Sequence, residues 1–242
     1  MNKLHLIPNT LGSVAATEVL PVEVLQIVYR LRLLFVENLK TTRHFLKSAG
    51  ISAPYDHIRM EILDKRDQGK HYADWYGLVE AYEEAGLVSE CGLPAVADPG
   101  EDFIRYLHGR ENVHVVAHPG PSAVFMALAA SGLNGEAFRF HGYLPVKTPE
   151  RKQRIHQIEA ESALTGATQL FMEAPYRNQT LFMDLLEVLQ PQTWLCVALG
   201  LQQENEWVKT KQVNKWKQHK HHLTKDPAMF LLQATPSKVY QR

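Results

Sequence analysis

The feature that most limits this chain is an alternation. Short apolar runs that read as buried strands are separated repeatedly by segments with the three-to-four-residue apolar spacing of amphipathic helices. Lys3 to Pro8 and Leu33 to Glu37 are two such runs, and between them Pro21 to Leu31 reads as a helix opened by its proline. A helix over Thr41 to Ala49, stopped by Gly50, precedes a strand over His57 to Leu63. A helix over His71 to Ala85, stopped by Gly86, precedes a short strand over Leu87 to Ser89. A helix over Asp102 to His108 then leads to a strand over Val113 to Ala117. Strands joined through helices require crossovers, so the sheet should be mostly parallel with helices on its faces. The fold class is α/β.

A second series begins with a helix over Ser122 to Ser131. Strands are expected over Phe138 to His141, Thr168 to Met172, Thr193 to Leu199, Glu206 to Thr210 and Met229 to Ala234, with helices over Glu150 to Ala163 and Asn178 to Leu189. The late strands follow one another with less helix between them, which suits a mixed sheet. At 242 residues the chain is long for one core and comfortable for two domains, placed at 1–118 and 119–242.

Charge separates the halves. Residues 1–118 carry 12 Lys+Arg against 16 Asp+Glu, and residues 119–242 carry 14 against 10, so a neutral chain has an acidic first half and a basic second half. The positive charge gathers over Arg139 to Arg154 and over Lys209 to Lys225, where six lysines and three histidines occur without an acid. Such a face can hold a phosphate backbone, and equally can be an ordinary solvated surface. The start MNKLHLIPNTLGSV lacks the pattern of a signal peptide, no apolar run is long enough for a membrane, and two cysteines make no disulfide framework. A cytoplasmic protein is expected.

The unusual residues collect where strands end. Ser89 to Gly100 reads SECGLPAVADPG, and similar loops follow other strands: IPNTLG at residues 7–12, HPGPS at 118–122 and EAPYR at 173–177. Glycines let a flat ligand approach the backbone, and prolines fix a loop's shape in advance. Ligands of open α/β sheets sit beyond the carboxyl ends of strands, so these loops suggest one binding site. Asp98 followed by Pro99 also fits the N-cap and first residue of a helix. No dinucleotide, Walker or nucleophile-elbow signature is present.

These strings carry a resemblance. LVSECGLPAVADPG, HPGPSAVFMALAASGL, FRFHGYLP with the basic helix starting RKQR, and LFMEAPYRN resemble, in order and spacing, the tetrapyrrole methylase superfamily of S-adenosylmethionine-dependent methyltransferases. The branch typified by ribosomal RNA small subunit methyltransferase I is the most similar. The resemblance extends from about Leu4 to Ala234 and is most specific over Leu87 to Arg177. It implies two α/β domains of the class III methyltransferase type with S-adenosyl-L-methionine in a cleft between them, and a homodimer. Carried over by position, it puts the cofactor against Pro8, Asn9, Thr10 and Leu11; Asp98, Pro99 and Gly100; and Pro119, Gly120, Pro121, Ser122 and Ala123. In the second half the implied contacts are Met172, Glu173, Ala198, Leu199, Gly200, Leu201, Pro227, Ala228 and Met229.

A sulfonium methyl is already activated, so alignment and exclusion of water would supply most of the catalysis, with a base where the acceptor is a ribose hydroxyl. Glu37, Glu173, Tyr176 and Arg177 are the candidates for orienting the acceptor, although an arginine at 177 can instead pair with an acid. Structured RNA methylated on a ribose 2′-oxygen is the first reading of the acceptor, favoured by the basic second half and the HGYLP and RKQR region. A tetrapyrrole or other small molecule is the second, and a non-catalytic cofactor-binding protein the third. The chain departs from the branch's pattern where acceptors are expected: Glu37-Asn38-Leu39-Lys40 replaces Glu-Asp-Thr-Arg, Gly200-Leu201-Gln202-Gln203-Glu204 replaces Arg-Glu-Leu-Thr-Lys, and the first loop lacks Gly-Asn-Leu-Asp. No metal site is expected from His219, His221 and His222, which lack a second ligand group at zinc spacing. Cys91 reads as a small buried filler, and Trp207 and Trp216 as packing residues or base-stacking platforms.

Overall fold

The computed structural model describes residues 1–63 and 69–235. Its contacts form two compact units, Met1–Ser122 and Ala123–Arg242. The first holds β1 (Asn2–Ile7), α1 (Ala16–Val19), α2 (Val22–Arg30), β2 (Leu33–Val36), α3 (Leu39–Ser48), β3 (Arg59–Ile62), α4 (Tyr72–Tyr82), β4 (Glu84–Val88), α5 (Glu101–His108) and β5 (Val113–Ala117). Its strands pair in the order β3-β2-β4-β1-β5, all parallel.

That order dictates where the helices go. The connections β1 to β2 and β2 to β3 run toward one edge of the sheet, and β3 to β4 and β4 to β5 run toward the other. Right-handed crossovers in opposite directions place their helices on opposite faces. Leu34 and Val36 accordingly share a core with α1, α2 and α3, including Ala16, Leu25 and Phe45. Their neighbours Leu33 and Phe35 join the other core, with Trp75 and Val79 of α4 and Phe103 and Leu107 of α5. Both sides of β2 are apolar because both are covered, which is why its sequence is a continuous run rather than an alternation. Full burial of a side chain such as Phe35 contributes roughly 1.5–3 kcal/mol.

The second unit holds α6 (Ala123–Ser131), β6 (Phe138–Tyr143), α7 (Thr148–Thr165), β7 (Thr168–Glu173), a 3-10 turn (Pro175–Arg177), α8 (Asn178–Val188), β8 (Trp194–Leu199), β9 (Trp207–Gln212), α9 (Val213–Trp216) and β10 (Ala228–Gln233). The sheet order is β6-β7-β10-β8-β9, with β6 parallel to β7 and the other pairs antiparallel. The expected mixed sheet is therefore present. Alternate residues Leu195, Val197 and Leu199 of β8 and Ala228, Phe230 and Leu232 of β10 pack under α7, α8 and Trp216 of α9.

Two local expectations fail for physical reasons. The helix expected to reach Ala85 ends at Tyr82; Glu83 turns the chain at φ 63°, and Ala85 and Leu87 belong to β4 in the middle of the sheet. Asp98 does not cap a helix at Pro99. The helix starts at Glu101 behind Gly100, whose φ of 128° suits glycine and which has no side chain to cap it.

Candidate functional site

The carboxyl ends of the parallel strands gather the suspect loops of the first unit. β2 and β4 are neighbours whose outgoing connections part, to β3 on one side and β5 on the other. A crevice opens at such a switch point. A cavity of about 620 Å³ lies there, walled by Asn9, Thr10 and Leu11 after β1, by Thr41, His44 and Lys47 on α3, and by Glu90 and Cys91 after β4.

Asn9 fixes the loops to one another. It is buried, and its side-chain amide donates to the carbonyls of Ser89 at 3.0 Å and Glu90 at 3.1 Å, while its backbone N–H donates to the Gly92 carbonyl at 2.8 Å. Its Oδ1 accepts from the Thr10 N–H. The Asn9 side chain is thus occupied in holding loops, and Thr10 and Leu11 line the cavity beside it. The third loop is seated as closely: a Cβ at Gly120 would stand 2.3 Å from Pro8 Cβ, and one at Gly92 would meet Leu11 at 3.1 Å. Pro8, Pro121 and Ser122 are buried, and Pro119 and Gly120 are exposed. Asp98 and Gly100 stand apart from the cavity wall, in a stretch where Ala95 and Ala97 hold φ values of 63° and 68°. Non-glycine residues in that region carry strain of order 1–3 kcal/mol each, a cost tolerated mainly where loop shape serves a function.

Cys91 corrects an expectation: the residue is exposed rather than a buried filler. Its thiol is nonetheless pushed up to about 11, first because its surroundings desolvate the thiolate and then because Asp98, Glu37 and Glu90 repel negative charge. A thiol so placed is a poor nucleophile at neutral pH. The Glu37 carboxylate, directly after β2, is therefore within electrostatic range of Cys91.

In the second unit the expected residues meet at one end of the sheet. Ala228 is in register with Glu173 on one side and Leu199 on the other, and Met229 with Met172 and Ala198. Gly200, at φ 58°, donates its N–H to the Pro227 carbonyl at 2.9 Å, and Gln202 follows at φ 60°. Leu201 is buried beside them. Glu173 dominates this end. Its Oε1 accepts from Arg177 Nη2 at 2.6 Å, Arg177 Nε at 3.0 Å and the Ala174 N–H at 2.7 Å, whereas its buried Oε2 has no hydrogen-bond partner among the described residues. Asn178 Nδ2 donates to the Asp226 carbonyl, leaving its buried Oδ1 similarly bare. Arg177 is therefore engaged with Glu173 and is not free to hold an acceptor. Tyr176 is 72% exposed and open to contact.

The basic stretch Arg139 to Arg154 is not the free cationic face its sequence suggests. Arg151 is buried against Asp184 at 2.6 Å and also donates to the Pro145 and Val146 carbonyls and to Thr148. Lys152 pairs with Glu187, Arg139 with Glu161 and Lys147 with Glu150. Arg154 donates to Gln157 and to His141 Nδ1, so that His141 Nε2 donates to Gln169 Oε1. The partners lie up to 35 residues away in sequence: packing of α7 on α8 brings Arg151 to Asp184 and Lys152 to Glu187, β6 beside α7 brings Arg139 to Glu161, and the Lys147–Glu150 pair is local.

Sequence reasoning missed the α3 wall of the cavity. Thr41, His44, Lys47 and Ser48 recur at helical spacing away from the buried Thr42 and Leu46, with Phe45 at the border lining the same cavity, and that polar stripe was the available signal. Ser89, the first residue of the SECGLPAVADPG loop, has a buried hydroxyl without a partner among the described residues, which the sequence did not single out. Among the described residues no helix is long and apolar enough to cross a membrane.

Two α/β units, each with glycine- and proline-bearing loops collected at one end of its sheet, define a class of two-unit α/β proteins. The chain belongs to the tetrapyrrole (corrin/porphyrin) methylase family, whose sequence profile matches residues 16–212. A relative in Escherichia coli O157:H7, ribosomal RNA small subunit methyltransferase I, is 30% identical over 207 residues, covering 82% of this chain and 65% of that protein. The protein of the same name in Synechocystis sp. is 30% identical over 214 residues, covering 85% and 69%. The chain thus spans just under two thirds of the Escherichia coli relative. Among solved structures, uroporphyrin-III-C-methyltransferase from Thermus thermophilus is similar in fold, with a TM-score of 0.56 at 17% identity over 96% of this chain and 94% of that one.

Proposed function

We propose that the chain is an S-adenosylmethionine-dependent methyltransferase whose acceptor is small-subunit ribosomal RNA, methylated on a ribose 2′-oxygen. Relatives named ribosomal RNA small subunit methyltransferase I support an RNA acceptor, the ribose oxygen rests on the sequence resemblance alone, and the likeness to the uroporphyrin-III enzyme concerns fold alone.

Glu173 carries the cofactor reading. A buried carboxylate whose second oxygen lacks a donor is costly, and a ligand amino group arriving there would offset that cost. The bare Asn178 Oδ1 asks for a donor too, and the Ser89 hydroxyl can serve a carboxylate. An adenine amino group, an ammonium and a carboxylate are the polar ends of S-adenosylmethionine, so the residues present fit it. Thr10, Leu11, Gly120 and Pro121 in the first unit and Met172, Ala198, Leu199 and Met229 in the second would supply backbone and apolar contacts.

When bound, the cofactor brings a methyl group already activated on sulfur. The chain's part is to align the acceptor oxygen, exclude water and take one proton. Glu37 is assigned that proton, and Tyr176 the contact with the acceptor. Arg177 is a positioning residue that orients Glu173 Oε1.

The test is transfer of tritiated methyl from S-adenosylmethionine to naked small-subunit ribosomal RNA, to assembled small subunits and to uroporphyrinogen. The expected label lies in RNA and survives alkali as a dinucleotide, because a methylated 2′-oxygen cannot attack its phosphodiester. Label in the tetrapyrrole, or in none of the three, sinks the proposal.

A further inference from the structure

Among its described residues the second unit holds a cationic surface that its own acids do not neutralise. From Trp207 to Lys225 the sequence has six lysines, three histidines and no acid. Lys209, Lys215, Lys217, Lys220 and Lys225 are all exposed, and none has an ion pair among the described residues. The contrast with Arg139 to Arg154, where each cation has a partner, sets this surface apart.

Its framework is rigid. β9 is the edge strand, and Trp207, Lys209 and Lys211 share one of its faces. Behind them Trp216 is fully buried, its indole N–H donating to the Leu195 carbonyl at 2.8 Å, with Lys211 Nζ 4.9 Å above its ring and His221 edge-on at 4.8 Å. The returning segment is tied to α8: Gln179 donates to the His221 carbonyl and accepts from the Leu223 N–H. Trp216 therefore cannot stack on a base, whereas Trp207, 36% exposed, presents an aromatic edge beside the lysines.

Topology fixes where the surface begins and ends. Trp207 pairs with Leu199 on one side, and Ala228 pairs with Leu199 on the other. The lysine-bearing segment therefore leaves the sheet end that carries Leu199 and Gly200, runs down β9 to α9, and comes back to that same end at Pro227. A polyanion lying on it reaches the end of the sheet to which cofactor contacts are assigned.

We infer that Lys209, Lys215, Lys217, Lys220 and Lys225, with Trp207, form the face on which the phosphodiester backbone of the RNA acceptor docks, and that the internally partnered stretch Arg139 to Arg154 does not. The inference rests on the reading that the acceptor is RNA. Phosphate contacts of this kind release counterions, so their signature is the salt dependence of binding. Trp207 adds a stacking surface for an unpaired base.

The experiment titrates a small-subunit ribosomal RNA transcript into the full chain at several salt concentrations, for the parent, for K215E/K217E/K220E, for the charge-removing K215Q/K217Q/K220Q, and for R139Q. S-adenosylmethionine binding by each variant reports that it is folded. The glutamate triple should bind RNA at least tenfold more weakly near 0.1 M salt, and loss of three contacts in the glutamine triple should flatten the log–log salt slope by about two. R139Q should match the parent. A parent that binds RNA with triples of unchanged affinity and slope overturns this docking face and leaves the proposed function standing. A parent that binds no RNA at any salt overturns both.

Discussion

Gly120→Ala isolates the contact that seats the third loop of the first unit on its first loop. The added Cβ would lie 2.3 Å from Cβ and 2.5 Å from Cγ of Pro8, and 3.3 Å from Leu20 Cδ2. Ordinary contact begins near 3.4 Å, so Pro8 and residue 120 must separate by about 1 Å. Leu20 can change rotamer; the pyrrolidine ring of Pro8 cannot turn aside, and both backbones must move. Overpacking of this kind costs about 1–3 kcal/mol. For a chain of this size each kcal/mol lowers the melting temperature by roughly 2–4 °C, giving a drop of roughly 2 to 12 °C. Since the moved loop is proposed to touch the cofactor, affinity for S-adenosylmethionine should fall at least tenfold. Gly77→Ala is the control: it lies exposed within α4 with nothing within 4 Å of the new Cβ, and should stabilise by roughly 0.5–1 kcal/mol without changing affinity. Scanning calorimetry and isothermal titration read both quantities. A Gly120→Ala protein that melts with the parent refutes the steric reasoning, and one that melts lower yet binds normally refutes the loop's part in the cofactor site.

Arg151→Met leaves the Asp184 carboxylate buried without its guanidinium and should cost about 3–5 kcal/mol in urea unfolding, with Arg151→Met/Asp184→Leu recovering most of it; equal stability of single and double variants argues against the pair. Acid should destabilise the protein from about pH 6.5 downward. Burial, followed for His118 by Arg30, holds His5 and His118 below their ordinary 6.5, with the charge of His118 also lowering His5 against the opposing pull of Glu84. The unfolded chain then takes protons first, so the stability these groups confer is complete above pH 6.5 and is lost as pH falls toward their folded values. Glu84, held low chiefly by its hydrogen bond to Arg30, adds a further loss below 4.5. Melting temperatures that stay level between pH 7 and 5.5 contradict the assignment. The exposed Cys91 thiol should react with iodoacetamide at pH 8 on the order of a hundredfold more slowly than an unperturbed thiol, because a pKa near 11 leaves about a hundredth of the usual thiolate; rapid labelling at Cys91 contradicts it.

The sheets were legible because their signal is local. Leu33-Leu34-Phe35-Val36 reads as a doubly covered strand from four letters, and the glycines at 50 and 109 mark where helices yield. Gly86 misplaced the end of α4, since Ala85 suits a helix as well as a strand and only pairing of Lys3 with Glu84 and Leu4 with Ala85 decides between them. Asp98-Pro99 looks like a helix start by local preference, and loses to a loop whose shape is set by Gly100 close against Leu87.

Charge is the property least readable from one sequence, because a cation's availability depends on partners folding brings from afar. Arg151-Lys152-Gln153-Arg154 and Lys209 to Lys225 look alike as strings. In the structure the first is consumed by Asp184, Glu187, Gln157 and His141. The second lies on an edge strand and a returning segment whose nearest acids are already engaged, Asp226 by Asn205 and Thr224 and Glu206 by the Gln202 N–H. The same reasoning applies to Glu173, which as a letter after a strand suggests a catalytic acid. Folding saturates one oxygen through Arg177 and leaves the other bare, turning a candidate base into a fixed acceptor that waits for a donor. Replacing Glu173 with Gln should therefore weaken cofactor binding while leaving the pH dependence of methyl transfer unchanged, and a shifted pH profile would return Glu173 to the role of base.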